Sequence, residues 1–481
     1  MNWSWTTHPL LLLACMLIGG GIGLVSTELA GALDLAGQAA SALLEMAGLP
    51  LLVVATLFGL RNLVTLPHGG RRLGWLLLLV ALCIWLSGLL GALAGVWLAP
   101  GQTLDAGERR AFGALVQQVG GETERTDMLL LAPPPPPGAA KLAGVLPDNV
   151  YAVLVRGDLA GIIWCTLVLG LPFALLPRER SQALVTQLEP IYRALEQLVE
   201  HITKLLPLLA FGMAAHVGAQ LRWEAISLLG GLLSALLLSS GCIIALALGL
   251  AARWANIGIP RLLVEMKAPL LTALLAPTLV ASIPSTIKAL TDRLALSRGI
   301  VEVVVPVGTV WLAAGSALQA ALITVFVTQL YGLPLGPGLL LWISVLAALA
   351  ALVARPDSAA AGLAPAALVM LWLRIPSEAV LPVLLLADGL GRGLRQLTSL
   401  CCIAATCALL SSGLRQERPD WHTSEAPAAS RPLQFNLTRA MAVLVLAGVL
   451  GAGLLSTLAG LGVGMRSVKP LPTSLLDGTA R

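Results

Sequence analysis

Read from the N-terminus, the chain alternates long apolar runs with short polar breaks, a pattern that suits a bilayer better than a water-surrounded core. A helix needs about 20 apolar residues to cross the hydrocarbon region. Runs of that kind occupy residues 8–26, 38–60, 73–98, 157–176 and 225–252. Residues 183–206 keep a helical period but carry polar groups, and "LLPLLAFGMAAHVGAQ" after them predicts a further span. Beyond residue 260 the pattern changes. Segments such as "PLLTALLAPTLVASIPSTIKAL" are broken by Pro, Gly and small polar residues. Irregular backbone at membrane depth is tolerated only where it lines a protein cavity, and pairs of interrupted segments point to a binding site. A polar linker at 413–437, an uninterrupted run at 438–463 and a tail at 464–481 complete the chain.

Composition fixes the class. Of 481 residues, 57% are hydrophobic and 11% charged, where soluble domains carry roughly 25% charged residues. This predicts one polytopic integral membrane protein rather than several soluble domains. The net charge of +5 is no nucleic-acid signature here, because in such chains the placement of Lys and Arg sets orientation. Arg61, Arg71 and Arg72 place the turn after the second run in the cytoplasm. Residues 101–146, with Asp105, Glu108, Glu122, Glu124, Asp127 and the prolines 133–137, fall on the opposite side as an extended, solvated segment. Arg415, Arg418, Arg431 and Arg439 keep the later linker cytoplasmic and put the tail outside. The first run is long enough to stay as a span rather than be read as a cleaved signal. All 7 cysteines lie in apolar runs with no CxxC pair or His spacing, which reads as small hydrophobes. No metal site, cofactor or disulfide scaffold is predicted, and no nucleophile–base arrangement suggests an enzyme.

One apolar stretch is interrupted by charge. Residues 385–397 read "LLADGLGRGLRQL", with Asp388, Arg392 and Arg395 inside. A charge at the bilayer centre costs about 2.5–3.5 kcal/mol and usually marks a pathway or a pair. In a helix, positions three apart lie about 60° apart, so Arg392 and Arg395 share a face with Asp388. Three readings fit: a self-neutralising Asp388–Arg392 pair, an anion site using Arg395, or an Arg392 that snorkels to an interface. Asp388 is the candidate titrating group, and Glu45 in "ALLEMAGLP" is a second proton-carrier candidate at membrane depth. Glu265 and Glu302 are expected at solvated interfaces, and His216 at a helix end.

Three stretches carry a family resemblance. "ALLEMAGLPLLVVATLFG", "VLPDNVYAVLVRGDLAGIIWCTLVLGLPFALL" (with Pro147, Asn149, Gly157 and Gly170) and "GIVEVVVPVGTVWLAAGSALQAALITVFVTQLYG" resemble, in order and spacing, segments of the dicarboxylate/amino acid:cation symporters. The resemblance to this glutamate-transporter fold runs from about residue 8 to about 412. It implies an all-α polytopic core of eight spans with two re-entrant hairpins, at about 260–296 and 336–374, to which 438–463 adds a ninth span. It also implies a homotrimer in a bacterial inner membrane. Spans one, two, four and five would form the scaffold; spans three, six, seven, eight and the hairpins would form a transport domain that moves as an elevator.

The implied chemistry departs from the family. Where its seventh span breaks at Asn-Met-Asp-Gly-Thr, this chain has Leu312, Ala313, Ala314, Gly315 and Ser316. Where its eighth span carries an amino-group Asp, a carboxylate-binding Arg, an Asn and a sodium-site Asp, this chain has Arg392, Arg395, Ser399 and Ile403. Two carboxylates are thus gone, and sodium prefers oxygen ligands that include a carboxylate. The first hairpin tip keeps Thr278 and Ser282. The second keeps "GLAPAALVML", with Gly362 and Pro365, and gains Arg355 and Asp357. The expected substrate-binding residues are Arg395, Arg392, Asp388, Gln396, Ser399, Ser316, Ser282 and Thr278, with Gly315, Gly362 and Pro365 as hinge or gate. The expected function is a secondary transporter of a small organic anion, a carboxylate or dicarboxylate, coupled to protons or uncoupled. The alternatives are a non-transporting membrane scaffold or sensor, and a conventional cation-coupled amino acid symporter.

Overall fold

A computed structural model of the chain describes residues 9–65, 69–102, 113, 150–156, 158–175, 178–220, 223–276, 278–353, 362–375 and 381–412. The polyproline segment, Arg355, Asp357, the linker, the run at 438–463 and the tail lie outside the described residues. Among the described residues every regular element is helical.

Helices α1 (Pro9–Val25), α2 (Thr27–Thr65) and α3 (Gly69–Leu98) follow the first three apolar runs. A short α4 (Val150–Arg156) leads into α5 (Leu159–Leu175). The polar, periodic α6 (Arg178–Ile202) runs through a 3-10 turn into α7 (Leu206–Gln220), and α8 (Trp223–Ala255) follows. Among the described residues six stretches are long and apolar enough to cross a membrane, the longest being Glu28–Leu63 and Thr186–Ala219. At 39 residues, α2 measures roughly 58 Å at 1.5 Å per residue. That exceeds a hydrocarbon thickness of about 30 Å, so α2 runs well past a perpendicular crossing and serves as a spine for α1, α5, α6, α7 and α12.

The interrupted region forms short pieces. These are α9 (Ile259–Glu265), α10 (Lys267–Leu275), a 3-10 turn at Leu279–Ser282, α11 (Ile283–Lys288) and a π turn at Ala289–Arg293. The seventh apolar stretch divides into α12 (Arg298–Trp311) and α13 (Ala314–Leu330). Leu312 (ψ 60°) and Ala313 (ψ 50°) leave helical geometry between them. Then come α14 (Pro337–Val353), α15 (Leu363–Trp372) and α16 (Leu381–Ser411). Nearly every residue of α13 is buried, ringed by α3, α8, α14, α15 and α16. By contrast α14 exposes Leu341, Trp342, Leu349 and Val353, an apolar face suited to lipid.

Glycine contacts set how closely the helices approach. A side chain at Gly19 or Gly23 of α1 would collide with the α7 backbone at Phe211 or Ala215, and one at Gly218 with Gly20. Gly212 and Gly37 face each other in the same way across α7 and α2. Small residues of this kind let membrane helices gain van der Waals contact where no hydrophobic drive separates protein from lipid.

Candidate functional site

The site forms where the break after α12 meets α16. Gly315, in the first turn of α13, lies so close to α16 that a Cβ there would fall on the Arg395 carbonyl. The Gly315 amide donates to Ser399 Oγ at 3.1 Å, which satisfies one of the four N-terminal N–H groups a helix leaves open. Glycine and serine together therefore fix α13 against α16 at this level.

Four residues on from Gly315, Gln319 projects from the same helical face into the charged turn of α16. Arg395 pairs with Asp388 through Nη1 and Oδ1. Gln319 Nε2 donates to Asp388 Oδ1 at 2.9 Å, and Arg395 Nη1 donates to Gln319 Oε1 at 3.0 Å. The three polar side chains thus close a ring. Asp388 is 1% exposed, Arg395 6% and Gln319 1%. A buried ion pair of this kind holds only because each charge also keeps a hydrogen bond. Gly362, immediately before α15, covers the ring: a Cβ there would overlap both the Arg395 guanidinium and the Asp388 carboxylate.

The partner of Asp388 is Arg395, seven residues away, and this corrects the reading in which Arg392 neutralises it. Arg392 is half-buried on the next turn, and among the described residues it makes no hydrogen bond or ion pair. Both spacings lie on one helix face, and Gln319 decides between them because it reaches Asp388 and Arg395 together. Gln396 is buried one residue further on, and Ser316 is half-buried beside Gly315. Pro365 is buried in the first turn of α15.

The first-hairpin residues lie against α2 instead. Thr278 Oγ1 donates to Glu45 Oε1 at 3.3 Å, and Val280 packs on Gly48. Ser282 turns inward, its hydroxyl donating to the Leu279 carbonyl at 2.7 Å. Neither Thr278 nor Ser282 hydrogen-bonds to the Asp388–Arg395–Gln319 ring. Glu45 is half-buried.

The positions at which the family resemblance implies sodium-site carboxylates, Ala314 and Ile403, carry apolar side chains. Leu312, Ala314 and Ile403 are fully buried, and the Ile403 side chain fills the groove beside Gly308 of α12. The side chains at Leu312, Ala314 and Ile403 offer no oxygen donor, a poor fit to a hard cation that needs carboxylate compensation.

Sequence reasoning missed two features. Gln319 is one; its signal is a lone amide one turn after the glycine that touches α16. The other is Glu302, expected at a solvated interface and found 1% exposed. Arg298 Nε donates to it at 2.6 Å, and Asn62 Nδ2 of α2 donates at 3.1 Å. The cause is close packing, since Gly59 presses on the Glu302 backbone and Gly299 on Asn62, and so α2 and α12 seal the carboxylate between them. Glu265, by contrast, stays partly exposed, 3.7 Å from Arg293.

Comparison with known proteins matches the sequence profile described as the sodium:dicarboxylate symporter family to residues 9–391. Among similar curated proteins, C4-dicarboxylate transport protein 3 of Bradyrhizobium diazoefficiens is 25% identical over 273 residues, covering 56% of this chain and 60% of that protein. The C4-dicarboxylate transport protein of Rhodospirillum rubrum is 23% identical over 317 residues, covering 66% and 68%. The proton/sodium-glutamate symport protein of Bacillus subtilis is 25% identical over 191 residues, covering 40% and 44%. The chain therefore spans only 60% of the first of these relatives.

Proposed function

Because the chain belongs to the sodium:dicarboxylate symporter family, we propose that it is a secondary transporter of small organic carboxylates, dicarboxylates among them, working without sodium. The observation that carries this reading is the buried Arg395, held by Asp388 and Gln319 under Gly362. A guanidinium is suited to two-point carboxylate binding. It is expensive to keep buried unless it is used or neutralised, and here it can be both in turn. When a substrate carboxylate replaces Asp388, Arg395 keeps a charge partner, and Gly362 leaves room for the exchange.

Arg392 sets the second property. A cation there repels an ammonium group, so amino-free acids are favoured over amino acids. Proton coupling or uncoupled movement follows from the apolar filling at Leu312, Ala314 and Ile403, and Asp388 and Glu45 are the carboxyl groups that could take the proton.

The short pieces at 259–293 and the α14–α15 pair serve as the two re-entrant hairpins. Together with α3, α8, α12–α13 and α16 they form a transport domain that slides on a scaffold of α1, α2, α5 and α7. The assembly is a homotrimer in a bacterial inner membrane, as the resemblance implies. What supports this division is α2, whose contacts to the hairpin tip run through Glu45–Thr278 and to α12 through Asn62–Glu302.

A second reading, a scaffold or sensor that no longer transports, draws on the same ring, because Asp388 already occupies the clamp. Thermal-shift screening of the purified chain against dicarboxylates, monocarboxylates and amino acids separates the two. Stabilisation by amino-free carboxylates, with that by dicarboxylates lost in Arg395→Ala/Asp388→Ala, is the expected result. Uniform silence would favour the scaffold, and stabilisation by amino acids alone would overturn the specificity.

A further inference from the structure

The charges around the ring do not cancel. Asp388 and Arg395 neutralise each other, and Arg392 adds one cation that no described acidic group pairs. The charged neighbours acting on Arg392 are Asp388 and Arg395 themselves. Among the described residues, the other elements against this turn bring no further charge. Leu236 of α8 packs on Gly391, Leu274 of α10 on Gly393, and α13 and the turn before α15 contribute Gln319 and Gly362. Among the described residues, Asp388 has hydrogen bonds or ion pairs to Arg395 and Gln319 only. Counted over the described residues, the turn therefore carries one net positive charge in a buried setting, where an uncompensated charge is costly.

Resting on the carboxylate-transport reading above, we propose that Asp388 makes the site count the carboxylates of its substrate. A monocarboxylate binds Arg392 and leaves the Asp388–Arg395 pair closed, and the loaded site is neutral with no proton taken up. A dicarboxylate needs both arginines. Its second carboxylate reaches Arg395 only if Asp388 leaves, and a displaced, charged Asp388 would make the loaded site negative. Asp388 therefore takes one proton from solution as the Asp388–Arg395 ion pair breaks and an Arg395–substrate pair forms. The protonated carboxyl keeps a partner, since Gln319 Oε1 can accept its O–H. Two dissimilar substrates thus reach the same neutral loaded site, the dianion with one proton and the monoanion with none. Gln319 is a positioning residue in this scheme, and Asp388 determines specificity.

The test uses the full chain in detergent and isothermal titration calorimetry near neutral pH, where succinate is a dianion. Titrations in two buffers of different ionisation heat report the protons taken up per anion bound. The expected result is about one proton per succinate and none per butyrate. In Asp388→Asn, succinate should bind with no proton uptake; in Arg392→Gln, butyrate should bind about tenfold more weakly or worse, as loss of a charge-assisted contact predicts. Succinate binding without proton uptake in the wild type, or equal uptake for both anions, overturns the proposal whether or not the variants fold. If neither anion binds the wild type, the carboxylate reading itself falls and takes this inference with it.

Discussion

The helix break at Leu312–Ala313 and the charged turn of α16 meet across Gly315, yet they handle polarity in opposite ways. At the break the helix is interrupted while no side chain carries a charge: Leu312 and Ala314 are buried, and Ile403 fills the space beside Gly308. In α16 the reverse holds. The helix is continuous, and its side chains carry three charges between residues 388 and 395. Shape without ligands at one place and charge without a break at the other show that helix geometry and site chemistry are separable. The first is held by glycine contacts and the second by side-chain bonds.

That contrast can be broken most forcefully at Arg395. Arg395→Ala strands the buried Asp388 carboxylate, and removing one partner of a buried pair costs about 3–5 kcal/mol. Unfolding by denaturant should show that loss, and Arg395→Ala/Asp388→Ala should recover much of it while still failing to bind dicarboxylates. If the single variant is as stable as the wild type, the ring is not the charged anchor of α16. Next in size is Gly315→Ala, which puts a methyl group on the Arg395 carbonyl. Overpacking of this kind typically costs about 1–3 kcal/mol. A fall in melting temperature together with weaker anion-induced stabilisation would tie the break to the charged turn; a neutral outcome would separate them. Gln319→Leu removes two hydrogen bonds but leaves the ion pair, so its effect should be smaller, about 1–2 kcal/mol. The smallest stability change belongs to Arg392→Gln, about 0.5 kcal/mol or less, because Arg392 has no bonded partner among the described residues. Its consequence should show in anion binding alone, and a large loss of stability there would mean that Arg392 is structural.

Much of the architecture was legible in the sequence because apolar run length is a local property. Helices α1, α3, α5 and α8 begin and end within a few residues of the runs that predict them. The length of α2 was not legible, since its polar N-terminal part at "TELAGALDLAGQ" becomes helical through packing on α7 rather than through hydropathy. At the site, the sequence supplies the charged face but cannot choose the partner of Asp388. Spacings of four and seven satisfy one face equally, and the choice depends on Gln319 from another helix. Glu302 was misjudged for a related reason: its burial is created by Gly59 and Gly299, which lie far apart in sequence and meet only in the fold. Local patterns give elements, while pairings that need two distant residues to converge wait for tertiary structure.

The central claim, carboxylate transport through the Arg395 site without sodium, is most directly tested by uptake of radiolabelled succinate into proteoliposomes prepared entirely in choline buffer. Uptake that continues in choline, is unchanged by added sodium and disappears in Arg395→Ala/Asp388→Ala is the predicted result. Uptake that requires sodium, or that survives in the double variant, would contradict it.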